Sequence, residues 1–394
     1  NTGEVTPLKV GTAIITVTAG AITSGELENV GGTWVTYSVK VEKGTPTVTV
    51  TPPAGGENGV YDYTGSALKF DATVTGVTGV QGAAVPETEG KIHFNFYADT
   101  DQDGQPDGTA LGDQPTDVGA YLVEAVYDGD DNYASATSQK VSFQIRAAGL
   151  TVAPKNPYGG TDGKIYDGQE HPAAEGLTVT GPDGKPVEAD SITYSTEKDG
   201  SYTATMPSFQ NAGTHTVYYK VTADNYEDEE GQFSITIHPA PLTITGEVEM
   251  TKPYDGKRDA EVISINDTDY AAGGIFIGGV EGETITVTAS AVYNNEDVGE
   301  GTTITITYTL NGADLSNYSY GGTAITGDTV TQEVTGASIT QKPVTVTGVS
   351  AEDRVYDSTD QVDLTGGTLN FADGDIEMGE TVTAPPSASG TGTG

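Results

Sequence analysis

Asp99, Asp101, Asp103, Gln105 and Asp107 have the spacing of a loop that wraps oxygen ligands around a hard cation. Aspartates fill positions 1, 3, 5 and 9, and Gly104 at position 6 permits the sharp turn such a loop needs. Gln105 can offer its main-chain carbonyl, and Asp107 can bind directly or through water. Position 12 departs from the pattern, because Ala110 stands where a bidentate Glu would close the loop. Asp113 substitutes for it only in a longer loop. With that ligand missing, the expected ion is Ca2+ held weakly, with a Kd of roughly 10⁻⁴–10⁻³ M. The competing reading is an acidic, solvated hairpin tip in an acidic protein.

Other chemistry is thinly represented. A second acidic group, Asp128-Gly129-Asp130-Asp131, leads into Asn132-Tyr133 and reads as a turn rather than an ion site. Glu227-Asp228-Glu229-Glu230 reads as a solvated turn. The four histidines, His93, His171, His215 and His238, show no paired spacing, and the chain has no Cys. No serine nucleophile elbow is present, and carboxylates are too numerous for any pair to stand out as acid and base. The chain is therefore not expected to be an enzyme. Trp34, the single tryptophan, reads as a core or strand-edge residue. The twenty-one tyrosines could build a contact surface, yet several recur at matching positions, which favours scaffold roles.

Charge narrows the partners. Seventeen basic residues stand against 57 acidic ones, a formal net charge of −40. Such a chain repels phosphate backbones and anionic headgroups, so neither nucleic acid nor direct membrane insertion is expected. No apolar run reaches membrane-spanning length. Disorder, the usual alternative for acidic and glycine-rich sequence, conflicts with the period-two recurrence of apolar residues. The absence of cysteine excludes disulfides and thiolate metal sites without fixing a compartment. The chain starts without Met or a signal peptide, so targeting signals are expected outside it.

These residues must be positioned by strands. Ile92, Phe94 and Phe96 alternate with His93, Asn95 and Tyr97; Val141, Phe143 and Ile145 alternate with Ser142, Gln144 and Arg146; Ile304, Ile306 and Tyr308 alternate among threonines. No stretch offers an amphipathic helix. Landmarks recur along the chain. Tyr-Asp pairs begin at Tyr61, Tyr166, Tyr254 and Tyr356, which are 105, 88 and 102 residues apart by subtraction of their positions. Asn132-Tyr133, Asn225-Tyr226 and Asn317-Tyr318 follow turns at Asp117-Val118-Gly119, Asn211-Ala212-Gly213 and Asp297-Val298-Gly299. Repetition at about one small domain's length predicts tandem modules with boundaries near 44, 148, 240 and 342. Units of about 100 residues with about seven short strands read as antiparallel β-sandwiches. The fold class is all-β: tandem immunoglobulin-like sandwiches in an elongated array. Asp117-Val118-Gly119-Ala120-Tyr121 also has the form of a tyrosine corner. His215 takes the tyrosine's place in the second unit, and Glu300-Gly301 departs further in the third.

Pro115-Thr116-Asp117-Val118-Gly119-Ala120-Tyr121 with Asp131-Asn132-Tyr133 resembles the MBG class of bacterial immunoglobulin-like repeats. Pro207-Ser208-Phe209-Gln210-Asn211-Ala212-Gly213 with Asn225-Tyr226 repeats the pattern. Leu242-Thr243-Ile244-Thr245-Gly246 followed by Lys252-Pro253-Tyr254-Asp255-Gly256 is similar to the related YDG repeat. Val344-Thr345-Val346-Thr347-Gly348 and Val355-Tyr356-Asp357 start a fourth unit the same way, with Ser358 where the motif has Gly. Leu8-Lys9-Val10-Gly11-Thr12-Ala13-Ile14-Ile15-Thr16-Val17 resembles the closing strands of a bacterial Ig-like group 2 domain.

The resemblance implies the end of an Ig-like domain at 1–43, MBG-like sandwiches at 44–147 and 148–239, a YDG-like sandwich at 240–341, and a truncated YDG-like start at 342–394. Both ends are expected to cut through a domain of a longer polypeptide. Such repeats imply an extracellular setting, on a bacterial cell surface or secreted. The expected role is a stalk or spacer that projects a functional domain. The expected partners are neighbouring domains of the same polypeptide. The alternative is an adhesin whose modules hold a host glycan or extracellular-matrix protein, with calcium dependence. Related stalks sometimes join a buried Lys to Asn beside a carboxylate, which directs attention to Lys69 and Lys220; snorkelling lysines explain both equally well.

Overall fold

The computed structural model describes residues 9–18, 34–77, 86–270, 274–312, 314–342, 345–351, 353, 355–358 and 364–370. Among them the regular elements are β-strands, with one three-residue 3₁₀ turn, Leu315–Asn317. The all-β expectation therefore holds, and its cause is the β-branched alternation. Threonine and valine suit a pleated surface, and the period of two sends every second side chain inward. In the strand Gly299–Gly312, Ile304, Ile306 and Tyr308 are fully buried while the threonines between them face outward. Leu8, Pro343, Val344 and most of segment 342–394 lie outside the described residues, as does the side chain of Trp34. Val355 and Tyr356 of the fourth Tyr-Asp motif are described and stand 89% and 86% exposed.

The chain forms two compact units. The first comprises Asn1–Lys155, Gly176–Met206 and Tyr218–Gln232; the second comprises Asn156–Glu175, Pro207–Val217 and Phe233–Gly394. Segment 148–239 thus contributes to both.

In the first unit, a hairpin pairs Gly11–Thr18 with Trp34–Val41. A two-stranded sheet, Thr47–Thr51 with Asp71–Thr75, lies over a five-stranded sheet. The larger sheet runs Val60–Asp62, Val141–Arg146, Gly119–Tyr127, Ile92–Ala98, with Ala136–Thr137 paired to Gly119–Tyr127. Val48 and Val50 from one sheet meet Phe96, Val123, Ala125, Phe143 and Ile145 from the other in a single core. Each large side chain fully buried there stabilises by about 1.5–3 kcal/mol. Val60–Asp62 joins the sheet in parallel, with Tyr61 opposite Ile145. The same unit holds Thr151–Lys155 paired with Gly176–Thr180, and Ser191–Ser195 paired with residues 218–222.

In the second unit the main sheet runs Thr251–Pro253, Thr329–Thr340, Gly299–Gly312, Ile285–Tyr293, Asp259–Ala260, with Ile275–Gly278 added to Ile285–Tyr293. Gly246–Val248, Val262–Ile265 and Thr268–Asp269 form a smaller sheet. Val248, Val262 and Ile265 pack with Ile285, Val287, Ile304, Ile306 and Ile339 from the main sheet. Again a short strand opens the layer in parallel, Lys252 lying opposite Ile339.

Candidate functional site

The acidic loop extends from the end of the strand Ile92–Ala98. The Asp99 amide donates to the Ala120 carbonyl, and the Asp107 amide returns to the Ala98 carbonyl, so both feet are tied to the sheet. Within the loop, Gln102 (φ 58°) and Gly104 (φ 79°) adopt left-handed backbone. The carboxylates of Asp99, Asp101 and Asp103 converge, with one oxygen from each within 4.8 Å of the others. Asp99 is 2% exposed and accepts the Gly104 amide at 3.3 Å; Asp101 and Asp103 are exposed. Gln105 donates its amide to Asp103 Oδ1 at 2.7 Å. Asp107 Oδ2 accepts from the Thr100 amide at 2.7 Å, and the hydrogen bonding from Thr100 lowers its pKa. Three of the five expected ligands therefore meet, while Gln105 donates its amide to one of them, Asp103, and Asp107 accepts from the loop's own backbone at Thr100. A divalent cation would sit among Asp99, Asp101 and Asp103, oxygen donors of the class calcium prefers.

The acidic stretch 128–131 forms a turn closed by its own carboxylate. Asp130 accepts the amides of Asn132 at 2.8 Å and Tyr133 at 2.7 Å on Oδ1, and of Glu87 at 2.8 Å on Oδ2. Burial alone would raise its pKa, but these backbone donors win and hold it down to about 2. The bonds fix the place of Asn132.

That asparagine has a role its repetition alone did not disclose. Asn132 Oδ1 accepts the Val10 amide at 3.3 Å. Asn225 Oδ1 accepts the Val118 amide at 2.8 Å, and Asn317 Oδ1 accepts the Ala212 amide at 2.7 Å. Each donor immediately precedes the glycine that opens a strand: Gly11, Gly119 or Gly213. In the latter two cases the asparagine also donates, from Asn225 Nδ2 to Asp117 Oδ1 and from Asn317 Nδ2 to Asn211 Oδ1, both at 3.3 Å. A side-chain amide is suited to this, because it accepts and donates in one plane. Every one of these bonds lies within a single compact unit.

Tyrosines reinforce the clamp. Tyr226 packs edge-on against Tyr63, with ring centroids 5.2 Å apart, and Tyr318 against Tyr166 at 5.7 Å. Such pairs contribute about 0.5–1.5 kcal/mol beyond burial. Tyr63, rather than Tyr61, is therefore the counterpart of Tyr166. The backbone agrees: Tyr63, Tyr166 and Tyr254 donate their amides to Arg146, His238 and Thr340, each the residue after a buried isoleucine. Tyr61 instead turns into the core and donates to the Pro53 carbonyl at 3.1 Å. In the second unit Glu283 accepts from both Tyr166 and Tyr318, the latter at 2.6 Å. Burial and then this carboxylate push the Tyr318 pKa up to about 12 and raise that of Tyr166 as well.

The expected corner is present. Tyr121 donates its hydroxyl to the Asp117 carbonyl at 3.0 Å, and a Cβ on Gly119 would come within 2.8 Å of that hydroxyl. His215 makes the matching contact, Nε2 to the Asn211 carbonyl at 2.7 Å. The clamp thus grips the same two turns that the corners brace from within.

Among the described residues, neither lysine singled out for crosslinking meets an asparagine and a carboxylate together. Lys69 is exposed, and Lys220 pairs with Glu230 at 2.6 Å. Lys140 comes nearer to that arrangement. It lies 2.9 Å from Glu124, which also accepts from Asn95 and Tyr97. Burial would raise the Glu124 pKa, but its bonds to Lys140, Tyr97 and Asn95 lower it, and Glu124 raises that of Lys140. Both partners are thereby held charged, whereas amide formation needs a neutral amine. Among the other histidines, His93 is exposed beside Asp128, and His238 bonds to the Asp162 carbonyl.

The YDG domain family matches residues 238–336, as the sequence of that segment led us to expect. No curated protein matches the chain. Among solved structures, the chain is similar to domains 4–9 of the surface layer protein SbsC at 14% identity and a TM-score of 0.19. That match covers 73% of this chain and 44% of the SbsC chain, less than half its length. Extracellular cadherin domains 3–6 of protocadherin gamma B2 match at 9% identity and a TM-score of 0.20, covering 84% of each chain. Among the described residues, no helix is long and apolar enough to cross a membrane.

Proposed function

We propose that the chain is a spacer: consecutive immunoglobulin-like β-sandwich repeats, MBG-like and YDG-like, in a multidomain protein of the bacterial surface or one that is secreted. Its task is to hold a functional domain away from the cell. The observation that carries this reading is the threefold asparagine clamp, in which the asparagine of an Asn-Tyr motif grips the residue before a strand-opening glycine far earlier in the chain. A scaffold needs neighbours that hold one another, and the chain invests its repeated polar residues in doing so. The YDG match over residues 238–336 supports the same reading. Its partners are neighbouring domains of the same polypeptide, and its high negative charge opposes nucleic acid and anionic lipid.

A second reading is favoured by the acidic loop, which the other repeats lack. Under it, weakly bound calcium among Asp99, Asp101 and Asp103 orders an adhesive surface for a host glycan or matrix protein. A binding screen of the full chain against glycans and extracellular-matrix proteins, with and without calcium, separates the two. The spacer reading expects no saturable binding in either condition. Saturable binding lost on calcium removal would replace it with the adhesin reading.

A further inference from the structure

The clamp has two sides, and one copy of its receiving side extends beyond the three pairs described above. Asp297-Val298-Gly299 repeats the tripeptide Asp117-Val118-Gly119 residue for residue. The two turns also occupy the same place in their sheets. Gly119 opens the strand Gly119–Tyr127 opposite Ile145, and Gly299 opens Gly299–Gly312 opposite Ile339. Beside Ile145 runs the parallel strand that delivers Tyr63; beside Ile339 runs the one that delivers Tyr254. Asp117-Val118-Gly119 with Tyr63 receives Asn225-Tyr226. Asp297-Val298-Gly299 with Tyr254 presents the same groups in the same register. Val298 is 46% exposed, and among the described residues no side chain accepts its amide.

We infer that Asp297-Val298-Gly299 and Tyr254 form a docking surface for the Asn-Tyr motif of a further repeat of this kind. The inference deepens the spacer reading and rests on it. The chemistry selects the occupant. An asparagine can accept from the Val298 amide while donating to the Asp297 carboxylate. An aspartate in its place would set two carboxylates against each other, and a serine lacks the paired reach. A tyrosine directly after the asparagine is required to meet the Tyr254 ring edge-on, as Tyr226 meets Tyr63. The surface is therefore specific for an Asn-Tyr corner rather than for any polar segment.

The test keeps residues 1–341 intact and replaces residues 342–394 with a second copy of residues 148–239, joined in register because Ala148 and Lys342 each stand three residues after the buried isoleucine. Hydrogen exchange is read at the Val298 amide. Relative to the natural chain, exchange should slow by about five- to tenfold, the worth of one hydrogen bond. It should return to the natural rate when the copied asparagine is replaced by alanine. Unchanged exchange at Val298, with the copied strands protected, would overturn the inference. Should the copied segment fail to fold, a second copy of residues 240–341, carrying Asn317-Tyr318, serves in its place under the same criteria. A ligand captured in the binding screen would sink the spacer reading without moving Val298, so the two failures are distinguishable.

Discussion

The side-chain oxygen of Asn317 lies 2.7 Å from the amide nitrogen of Ala212, a residue 105 positions earlier in the chain. Asn317 is 2% exposed, so this bond is made away from competing water. A buried polar group left unpaired costs about 1–3 kcal/mol, which is why a buried asparagine marks a bond that must be made. Its presentation differs from repeat to repeat. The Asp130 carboxylate caps the turn before Asn132, Asn225 adopts left-handed backbone at φ 69°, and Asn317 ends a 3₁₀ turn capped by Asp314. Three local solutions deliver one contact.

The tyrosine corner should be separable from the clamp. Tyr121→Phe removes the hydroxyl bond to Asp117 while keeping the ring beside Phe143, so it should cost about 1 kcal/mol in a thermal or urea melt. Gly119→Ala should cost more, because its new Cβ would press on the Tyr121 hydroxyl at 2.8 Å.

Acid should act through Asp130. Its folded pKa of about 2 lies below the usual carboxylate value of 3.8, so its stabilisation is complete above about pH 4 and is lost as pH falls through 2. Asp130→Asn should destabilise the chain at pH 7 by about 1.5–3 kcal/mol, the worth of hydrogen bonds to a charged group. The difference between variant and natural chain should shrink between pH 4 and pH 2. A gap that stays constant over that window would show that the charge is not what matters.

Glu283 should govern two tyrosines at once. In Glu283→Gln, the amide oxygen can accept from one hydroxyl while the other loses its carboxylate, and the nearby negative charge is gone. Spectrophotometric titration should show Tyr318 ionising below its present value of about 12, yet above the ordinary 10, because burial remains the first cause of its shift. The sign for stability follows: these raised tyrosines favour the fold below about pH 10, and that contribution is lost as pH rises through 12.

Calcium should bind weakly and locally. At about 1 mM ion and a Kd near 10⁻⁴ M, the gain is about 1.4 kcal/mol, enough to order a loop but not to hold the packed sheets together. Calcium titration of the full chain should slow exchange of the amides at 101–105, and Asp103→Ala should abolish the effect. Identical exchange with and without calcium would leave the acidic, solvated hairpin.

Much of the fold was legible because a strand writes its burial into alternate residues. Ile304, Ile306 and Tyr308 are buried as their spacing requires, and so are Phe143 and Ile145. The corner at Tyr121 was equally readable, since it depends on neighbours four residues apart. What sequence hides is pairing at a distance. The recurrence of Tyr-Asp suggested Tyr61 as the counterpart of Tyr166, but strand register makes it Tyr63, two residues on and so on the same face of an extended chain. Asn132, Asn225 and Asn317 were visible as landmarks, whereas their partners lie over 100 residues away and include a Val10-Gly11 step that carries no turn signature. Glu283 gave no signal at all, being one carboxylate among many.

The most direct measurement is hydrogen exchange at the amides of Val118 and Ala212 in the full chain and in Asn225→Ala and Asn317→Ala. Each substitution should release only its own partner, Val118 for Asn225 and Ala212 for Asn317, by about five- to tenfold. Equal exchange of both amides in the natural chain and the two variants would contradict the clamp and remove the principal support for a spacer built from repeats that grip one another.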